Sequence, residues 1–448
     1  MAQQYESERV FAALEQAIRQ LAKEKDKFVL RPGKDFTRDR KLSFTDTILA
    51  YMKFSGDSLT SEVQALRLNG GLDVTKSAVS QRIAKIKPEA GEELLRLFNE
   101  NALIKPKTDK GHRVFAVDGS DINIAHNPNT PAAMVGSKKL SSEEKYSQLH
   151  LNAVFDLING IYLDAIIQPK QEQDEVGAAW QFMDRMNNSV EPRIFIMDRG
   201  YESYNTLAHA VKSPNTYVVQ RVKSDKNCMK FLQDLEQKEL DVDKTFTLNN
   251  RQTKAAKKAG HIILRTGSTK GKDLKKDDYA RFDYSFPFTM TIRVVRFRLS
   301  SGEYETLLTN LPRDEFSADD LRELYWRRWG IETSFRELKY AVGAVNMHTR
   351  RISTSALEIF LSLVKFNLTE FIVMAIGETK YTAKHAYRIN HKIAVVICLT
   401  QMRLHNRSWE DIEAEIKRNI EIYRPGRPDT RKTIVPKTFV YFTYRTAA

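Results

Sequence analysis

The chain contains 448 residues, with a net charge of +14 at pH 7 and a pI near 9.4. This length allows several domains with a sizeable core, and the positive charge favours a polyanionic partner such as nucleic acid. The two cysteines, Cys228 and Cys398, are too far apart in sequence to suggest a disulfide framework or a zinc site, and we find no signal-peptide pattern.

Residues 1–110 have the pattern of amphipathic helices, and the segment 61–86 indicates a helix-turn-helix. Two short helical patterns are separated there by Gly70-Gly71. We predict that the second helix presents polar side chains to DNA. These side chains are Lys76, Ser80, Gln81 and Arg82, together with Ser77. An ordinary helical hairpin would have the same pattern.

Two aspartates each follow an apolar run within residues 111–220. Asp118 follows Val114 to Val117, and Asp198 follows Ile194 to Met197. Each run predicts a buried strand, and the aspartate after it is a functional acid, a turn former or a helix N-cap. Asp121 is a second candidate, beyond the turn expected after Asp118. The segment predicts strands at 113–118, 148–156, 161–168, 193–198 and 215–220, and helices at 172–186 and 203–212.

Residues 221–312 predict a β-rich segment. Strand-like runs occur at 244–248, 261–265, 289–299 and 304–308. The segment also carries lysines suited to phosphate contacts, namely Lys254, Lys257, Lys258, Lys270, Lys272, Lys275 and Lys276. The later lysines alternate with aspartates, so a solvated loop explains them equally well.

From Leu321 to Lys339 the sequence predicts one helix with two faces. The apolar face comprises Leu324, Ile331, Phe335, Leu338 and Val342. The polar face comprises Tyr325, Arg328, Glu332 and Lys339, which fall within an arc of roughly 60°. A solvated surface with an Arg–Glu pair would look similar. The same grouping also suits a metal-binding acid that works beside a phosphodiester.

The spacing Y-x2-R-x3-E-x6-K on that polar face resembles the signature of the insertion-sequence-four family of DDE transposases. The resemblance implies an α/β fold with a ribonuclease H-like mixed-sheet core, in which the first and fourth strands are neighbours. That arrangement would bring Asp118 beside Asp198. The implied domains are a helical DNA-binding domain at 1–110, core parts at 111–220 and 313–352, a mostly β insertion at 221–312, and a helical, basic carboxy-terminal subdomain at 353–448.

The resemblance also implies a catalytic triad of Asp118, Asp198 and Glu332. Three carboxylates suit two Mg²⁺ ions, with Mn²⁺ able to substitute, because hard divalent cations prefer oxygen ligands. Without metal, three crowded acids would raise one another's pKa values. The implied reaction is cleavage at the ends of a mobile element, followed by strand transfer into target DNA.

Further residues are expected to contact DNA. The resemblance implies phosphate contacts for Tyr325, Arg328 and Lys339, and Arg199 is a further candidate beside Asp198. Trp329 is expected to stack on an unpaired base, with packing beneath the helix as the alternative, whereas Trp326 is expected to pack beneath the helix. The insertion at 221–312 contains no tryptophan, which leaves base flipping and a hairpin intermediate open.

We expect three carboxy-terminal helices, at 353–376, 384–404 and 409–422. The apolar stretch 356–376 carries charged residues, so it predicts a core helix and not a membrane span. The expected partners are double-stranded DNA and a second copy of the chain on that DNA, in the cytoplasm and nucleoid of a bacterium or archaeon. Two other readings remain: a different ribonuclease H-like nuclease, such as a junction resolvase, and a catalytically silent DNA-binding protein derived from a transposase.

Overall fold

The computed structural model describes residues 5–70, 72–103, 105–135, 146–187, 190–223, 228–236, 238–264, 281–299, 301–377, 380–381 and 386–423. The later insertion lysines, Lys270, Lys272, Lys275 and Lys276, lie outside these residues, as do Arg265 and the basic tail from Arg424.

The amino-terminal region is helical, as predicted. Its helices are α1 (Glu6–Lys23), α2 (Phe44–Met52), α3 (Leu59–Gly70), α4 (Lys76–Ile83) and α5 (Glu89–Ala102). Apolar residues at helical spacing on α1, such as Leu14 and Ile18, are buried and belong to a large hydrophobic cluster. That cluster also contains Leu94 of α5 and extends to Ile416 near the other end of the described chain.

A long sheet forms the centre of the molecule. Its first strands are β1 (Arg113–Ile124), β2 (Met134–Val135), β3 (Tyr146–Asp156), β4 (Ile161–Pro169), β5 (Arg193–Met197) and β6 (Thr216–Val222), with helices α6 (Glu175–Arg185) and α7 (Tyr204–Lys212) in the connections. β1 pairs antiparallel with β3 and parallel with β5, and β5 pairs parallel with β6. The sequence predicted β1, β3, β4, β5, β6 and both helices close to their observed positions, whereas β2 was not predicted.

β1 is longer than predicted. The strand was expected to end at Asp118, but its pairing with β3 continues to Ile124. Gly119-Ser120 was expected to form a turn; Gly119 instead pairs with Asn152. Asp118 therefore lies within a strand and not at its end, because the residues that follow it continue to pair with β3.

The β-rich segment extends this same sheet. Its elements are β7 (Leu240–Asn249), α8 (Lys254–Lys258), β8 (Ile262–Ile263), β9 (Phe288–Arg298) and β10 (Tyr304–Thr309). β10 pairs antiparallel with β6, so the strand order is β2-β3-β1-β5-β6-β10-β9-β7-β8, with β4 also on β3. The insertion thus continues the central sheet at the edge of β6.

Two helices follow where one was predicted. They are α9 (Ala318–Arg327) and α10 (Trp329–Tyr340), with Arg328 between them. The backbone tightens there, because Arg328 N–H donates to Tyr325 and Ile331 N–H donates to Arg328, each across three residues. The predicted apolar face is confirmed, since its five residues are all buried.

The carboxy-terminal region contains α11 (Ile352–Ile376), β11 (Lys380–Tyr381), β12 (Ala386–Ile389), α12 (His391–Leu404), α13 (Trp409–Arg418) and β13 (Ile420–Tyr423). Three helices are present as predicted, but the helix predicted at 384–404 begins only at His391, so its predicted start was wrong. The residues before it pair as a strand with Ile420 to Tyr423.

Helix α11 is long and apolar enough to cross a membrane by length and composition alone. Its side chains are mostly buried within the protein, which fits the predicted core helix. Asn367 of α11 donates to the Tyr162 carbonyl on β4 at 2.7 Å and to Oδ1 of Asn99 on α5, also at 2.7 Å. This helix therefore links the amino-terminal helices to the sheet.

Candidate active site

Asp118 and Asp198 occupy equivalent positions on neighbouring strands. The parallel register of β1 and β5 pairs Ala116 with Ile196. Each aspartate lies two residues beyond that pair, so the two carboxylates emerge from adjacent strands at the same level of the sheet. The structure therefore brings the two predicted acids together.

The loop after β5 holds the second acid in place. The Asp198 carboxylate accepts a hydrogen bond of 2.7 Å from the Gly200 backbone N–H. This contact caps the short 3₁₀ turn Arg199–Tyr201. Arg199 is exposed beside it, so its cation is accessible near the acids.

Arg328 connects the third acid to the first. One terminal nitrogen of its guanidinium, Nη2, lies 2.7 Å from Glu332 Oε1, and the other, Nη1, lies 3.3 Å from Asp118 Oδ2. The side chain is buried, at 5% exposure, and its ring neighbours are Trp329 and Tyr325. The break between α9 and α10 thus places a buried cation between two of the predicted acids.

The site concentrates negative charge. Burial raises the pKa of Asp118 to about 6, and the nearby charge of Arg328 and the Gly119 N–H only partly offset this. Asp198 and Glu332 raise the pKa of Asp118 further. The other two acids therefore act electrostatically on Asp118, as expected for a carboxylate beside other carboxylates.

The donor set suits a hard divalent cation, because it consists of carboxylate oxygens. Within the described ranges, however, no three His, Cys, Asp or Glu side chains are close enough to enclose a metal ion. The Arg328 guanidinium occupies the space between Asp118 and Glu332 in which a metal ion would lie. Coordination by all three acids would therefore require the Arg328 side chain to move.

The remaining residues of the polar face differ in accessibility. Tyr325 is 7% exposed and lies near Arg221, so its hydroxyl faces inward. Lys339 is half-buried, and burial lowers its pKa. Trp329 is 42% exposed, and its ring lies 4.8 Å from the Arg328 guanidinium carbon. The packing expected for Trp326 is wrong, because this side chain is 49% exposed.

The predicted recognition helix is α4. Lys76, Ser80 and Gln81 are exposed on it, together with Ser77. The exception is Arg82, whose guanidinium donates to the Leu42 carbonyl and lies over the ring of Phe36. Arg82 is therefore committed to an internal contact and does not face outward as predicted.

Asp121, the alternative to Asp118, belongs to a separate group of charges. It lies 2.7 Å from His150 Nδ1 and 2.6 Å from Lys170 Nζ. This pairing lowers the pKa of Asp121, although burial opposes the shift. Sequence reasoning missed His150 and Lys170, since neither belongs to a motif. The pairing of β1 with β3 brings His150 here, and the pairing of β3 with β4 brings Lys170, which follows Pro169.

The sequence matches the transposase DDE domain family over residues 109–368, which is more than half of the chain. The chain belongs to the DDE transposases. The matched range contains Asp118, Asp198 and Glu332. A chain in the cryo-EM structure of the piggyBac transposase synaptic complex with hairpin DNA is similar, with a TM-score of 0.43 and 11% identity, and the alignment covers 93% of this chain and 84% of that one. Among curated protein sequences, no significant match was found.

Family membership supports a transposase function and a catalytic domain of the kind that uses divalent metal ions. In this transposase Asp118 lies on β1, Asp198 directly follows β5, and Glu332 lies on α10. The exposed lysines of α8, namely Lys254, Lys257 and Lys258, add positive charge at the far end of the sheet.

Proposed function

We propose that this transposase mobilises an insertion sequence of the insertion-sequence-four type. It would bind the terminal inverted repeats, cleave the element's ends and join them to target DNA. The observation that carries this proposal is the link from Asp118 through Arg328 to Glu332, beside Asp198 on the adjacent strand.

We further propose that the core is ribonuclease H-like. Five strands support this, in the order β4-β3-β1-β5-β6. The first three in sequence pair antiparallel, and the last two run parallel to β1. This is the mixed sheet that we expected from the resemblance of the Y-x2-R-x3-E-x6-K spacing to the signature of the insertion-sequence-four family.

Asp118, Asp198 and Glu332 are the residues that would hold the metal, proposed as two Mg²⁺ ions with Mn²⁺ as a substitute. When bound, such ions activate an attacking oxygen and stabilise the leaving oxygen of a phosphodiester. Arg328 would exchange its carboxylate partners for a DNA phosphate, with Lys339 and Arg199 as further cations and Tyr325 lining the site. Exposed Trp329 would stack on a base.

The proposed partners are double-stranded DNA and a second copy of the chain. Lys76, Ser80 and Gln81 of α4 would contact the inverted repeat. A dimer on DNA follows from the need to process two ends with one site per protomer. The proposed location is the cytoplasm and nucleoid of a bacterium or archaeon.

The test is an assay of end cleavage. The purified protein is incubated with Mg²⁺ and a linear DNA that carries the sequences flanking its own gene. Specific nicks at short inverted repeats, with joined products, are the expected result. Glu332→Gln should abolish cleavage but retain binding of the ends, whereas Glu323→Gln, in the exposed Glu323–Arg327 pair, should behave as wild type.

Three outcomes would contradict the proposal. Cleavage restricted to branched DNA would indicate a resolvase, and end binding without any cleavage would indicate a silent DNA-binding protein. Cleavage by Glu332→Gln at the wild-type rate would refute the assignment of the third acid.

A further inference from the structure

A buried histidine, His150, contacts two acids, Asp121 and Glu175, close to the position of Asp118 on β1. His150 Nδ1 lies 2.7 Å from Asp121, and His150 Nε2 lies 3.0 Å from Glu175 Oε1. His150 is 2% exposed, whereas the Glu175 side chain is 37% exposed. Glu175 is the first residue of α6, and one oxygen of its carboxylate is in ion-pair contact with His150 while the side chain remains reachable from solvent.

The anchored carboxylate packs on the backbone beside Asp118. A Cβ atom at Gly119 would lie 2.8 Å from Glu175 Oε1 and 2.5 Å from His150 Nε2. Such contacts are too close for any side chain, so glycine at 119 allows Glu175 to approach the strand. The carboxylate of Glu175 is thereby held next to the residue that follows the first catalytic acid.

A buried hydroxyl points to a ligand in the same place. Tyr201 is 1% exposed, and its hydroxyl has no hydrogen-bond partner within the described residues. Burial raises the pKa of the Tyr201 hydroxyl, the negative charges of Asp118, Glu175 and Asp198 raise it further, and Arg328 lowers it, so these groups act on the hydroxyl electrostatically. Buried polar groups normally find a partner, so this hydroxyl is suited to a group that arrives between these acids.

We propose that Glu175 is a fourth carboxylate of the catalytic site and shares with Asp118 the binding of a divalent cation. This inference rests on the proposed function. Carboxylate oxygen is the ligand that such cations prefer, and the second oxygen of Glu175 is not used by His150. The Tyr201 hydroxyl would then donate to a water on the cation or to a phosphate oxygen.

The test is a titration of the metal-free, full-length protein with Mn²⁺, in which the free ion is measured by electron paramagnetic resonance. Glu175→Gln is compared with wild type, with Asp118→Asn as the reference for a lost ligand. Glu172→Gln is the matched control, because that glutamate is exposed three residues away. Thermal melting verifies that each variant is folded, and Glu175→Asp replaces Glu175→Gln if the latter does not fold.

The expected result is a loss of Mn²⁺ affinity of at least about tenfold in Glu175→Gln and no change in Glu172→Gln. A Glu175 that serves only as an ion pair to His150 would give a lower melting temperature with wild-type Mn²⁺ binding, and that result would overturn the inference. If Asp118→Asn also bound Mn²⁺ as wild type, the proposed function itself would fail.

Discussion

Arg328 and Glu332 form an ion pair of 2.7 Å between successive turns of the chain, at the point where α9 gives way to α10. The same guanidinium reaches Asp118 on β1, so one buried cation contacts an acid on the helix and an acid on the sheet. Its Nε has no hydrogen-bond partner in the described part of the chain, so the group is incompletely satisfied where it lies. That arrangement suits a cation that changes partners when DNA and metal arrive.

Replacing this cation tests its role. In Arg328→Met we expect end cleavage to fall by about 100-fold, because a charge aimed at the phosphate is lost. Binding of Mn²⁺ should be retained or strengthened, since the guanidinium no longer competes for Asp118 and Glu332. Cleavage rates and Mn²⁺ titration measure the two effects.

The control is Arg327→Met, because Arg327 pairs with Asp109 and Glu323 instead. Equal cleavage by Arg328→Met and wild type would show that the guanidinium has only a structural role.

The stability of the metal-free protein should depend on the ionisation of Asp118. Its pKa is raised from 3.8 to about 6 in the folded state. Between about pH 4 and pH 6 the folded chain keeps a proton that the unfolded chain has released, so the contribution of this group to the free energy of unfolding falls as the pH rises through that window. Asp118→Asn cannot ionise and should be more stable than wild type by about 3 kcal/mol at pH 8, and by less than about 1 kcal/mol at pH 4.

Denaturant unfolding in the presence of a chelator, at unit steps from pH 4 to pH 8, measures this difference. A constant difference across the whole range would contradict the raised pKa of Asp118.

Lys339 should contribute to DNA affinity through charge. Lys339→Ala should reduce the slope of log affinity against log salt by about 0.9, the value for one phosphate contact. The control is Lys417→Ala, an exposed lysine on α13. Binding of the ends is measured by fluorescence anisotropy at salt concentrations from about 50 to about 200 mM, because affinity for DNA changes steeply with salt in that range. Parallel slopes for Lys339→Ala and wild type would assign this lysine a role away from the phosphates.

The two parts of the α4 surface should respond differently to substitution. Combined replacement of Lys76, Ser80 and Gln81 by alanine should reduce the preference for inverted-repeat DNA over random DNA, with unchanged melting. Arg82→Ala should instead lower the melting temperature, because Arg82 donates to the Leu42 carbonyl. Competition binding and thermal melting separate the two. Retained end preference in the triple variant would exclude α4 as the recognition helix.

Local pattern was enough to predict the elements that carry the acids. The apolar runs before Asp118 and Asp198 are buried strands, and the apolar face that contains Ile331 is buried on the core. Each of these features depends on a few neighbouring residues with a clear period, which the sequence displays directly.

Features that depend on distant partners were not predictable. β1 runs past Asp118 only because β3 is its partner, and Arg82 turns inward because the Leu42 carbonyl is within reach. The group around His150 likewise requires three separate elements to meet. Nothing in the sequence near Glu175 distinguishes it from an ordinary first-turn glutamate of a helix.

Helix α11 has a consequence for any shortened product of the gene. Its side chains cover the apolar surfaces of α1 and α5, which come first in the chain, although α11 itself is translated much later. A polypeptide that stopped before Ile352 would leave those surfaces open to water, so proteases and chaperones would remove it. We therefore expect such a fragment to be short-lived and to compete poorly with the full chain.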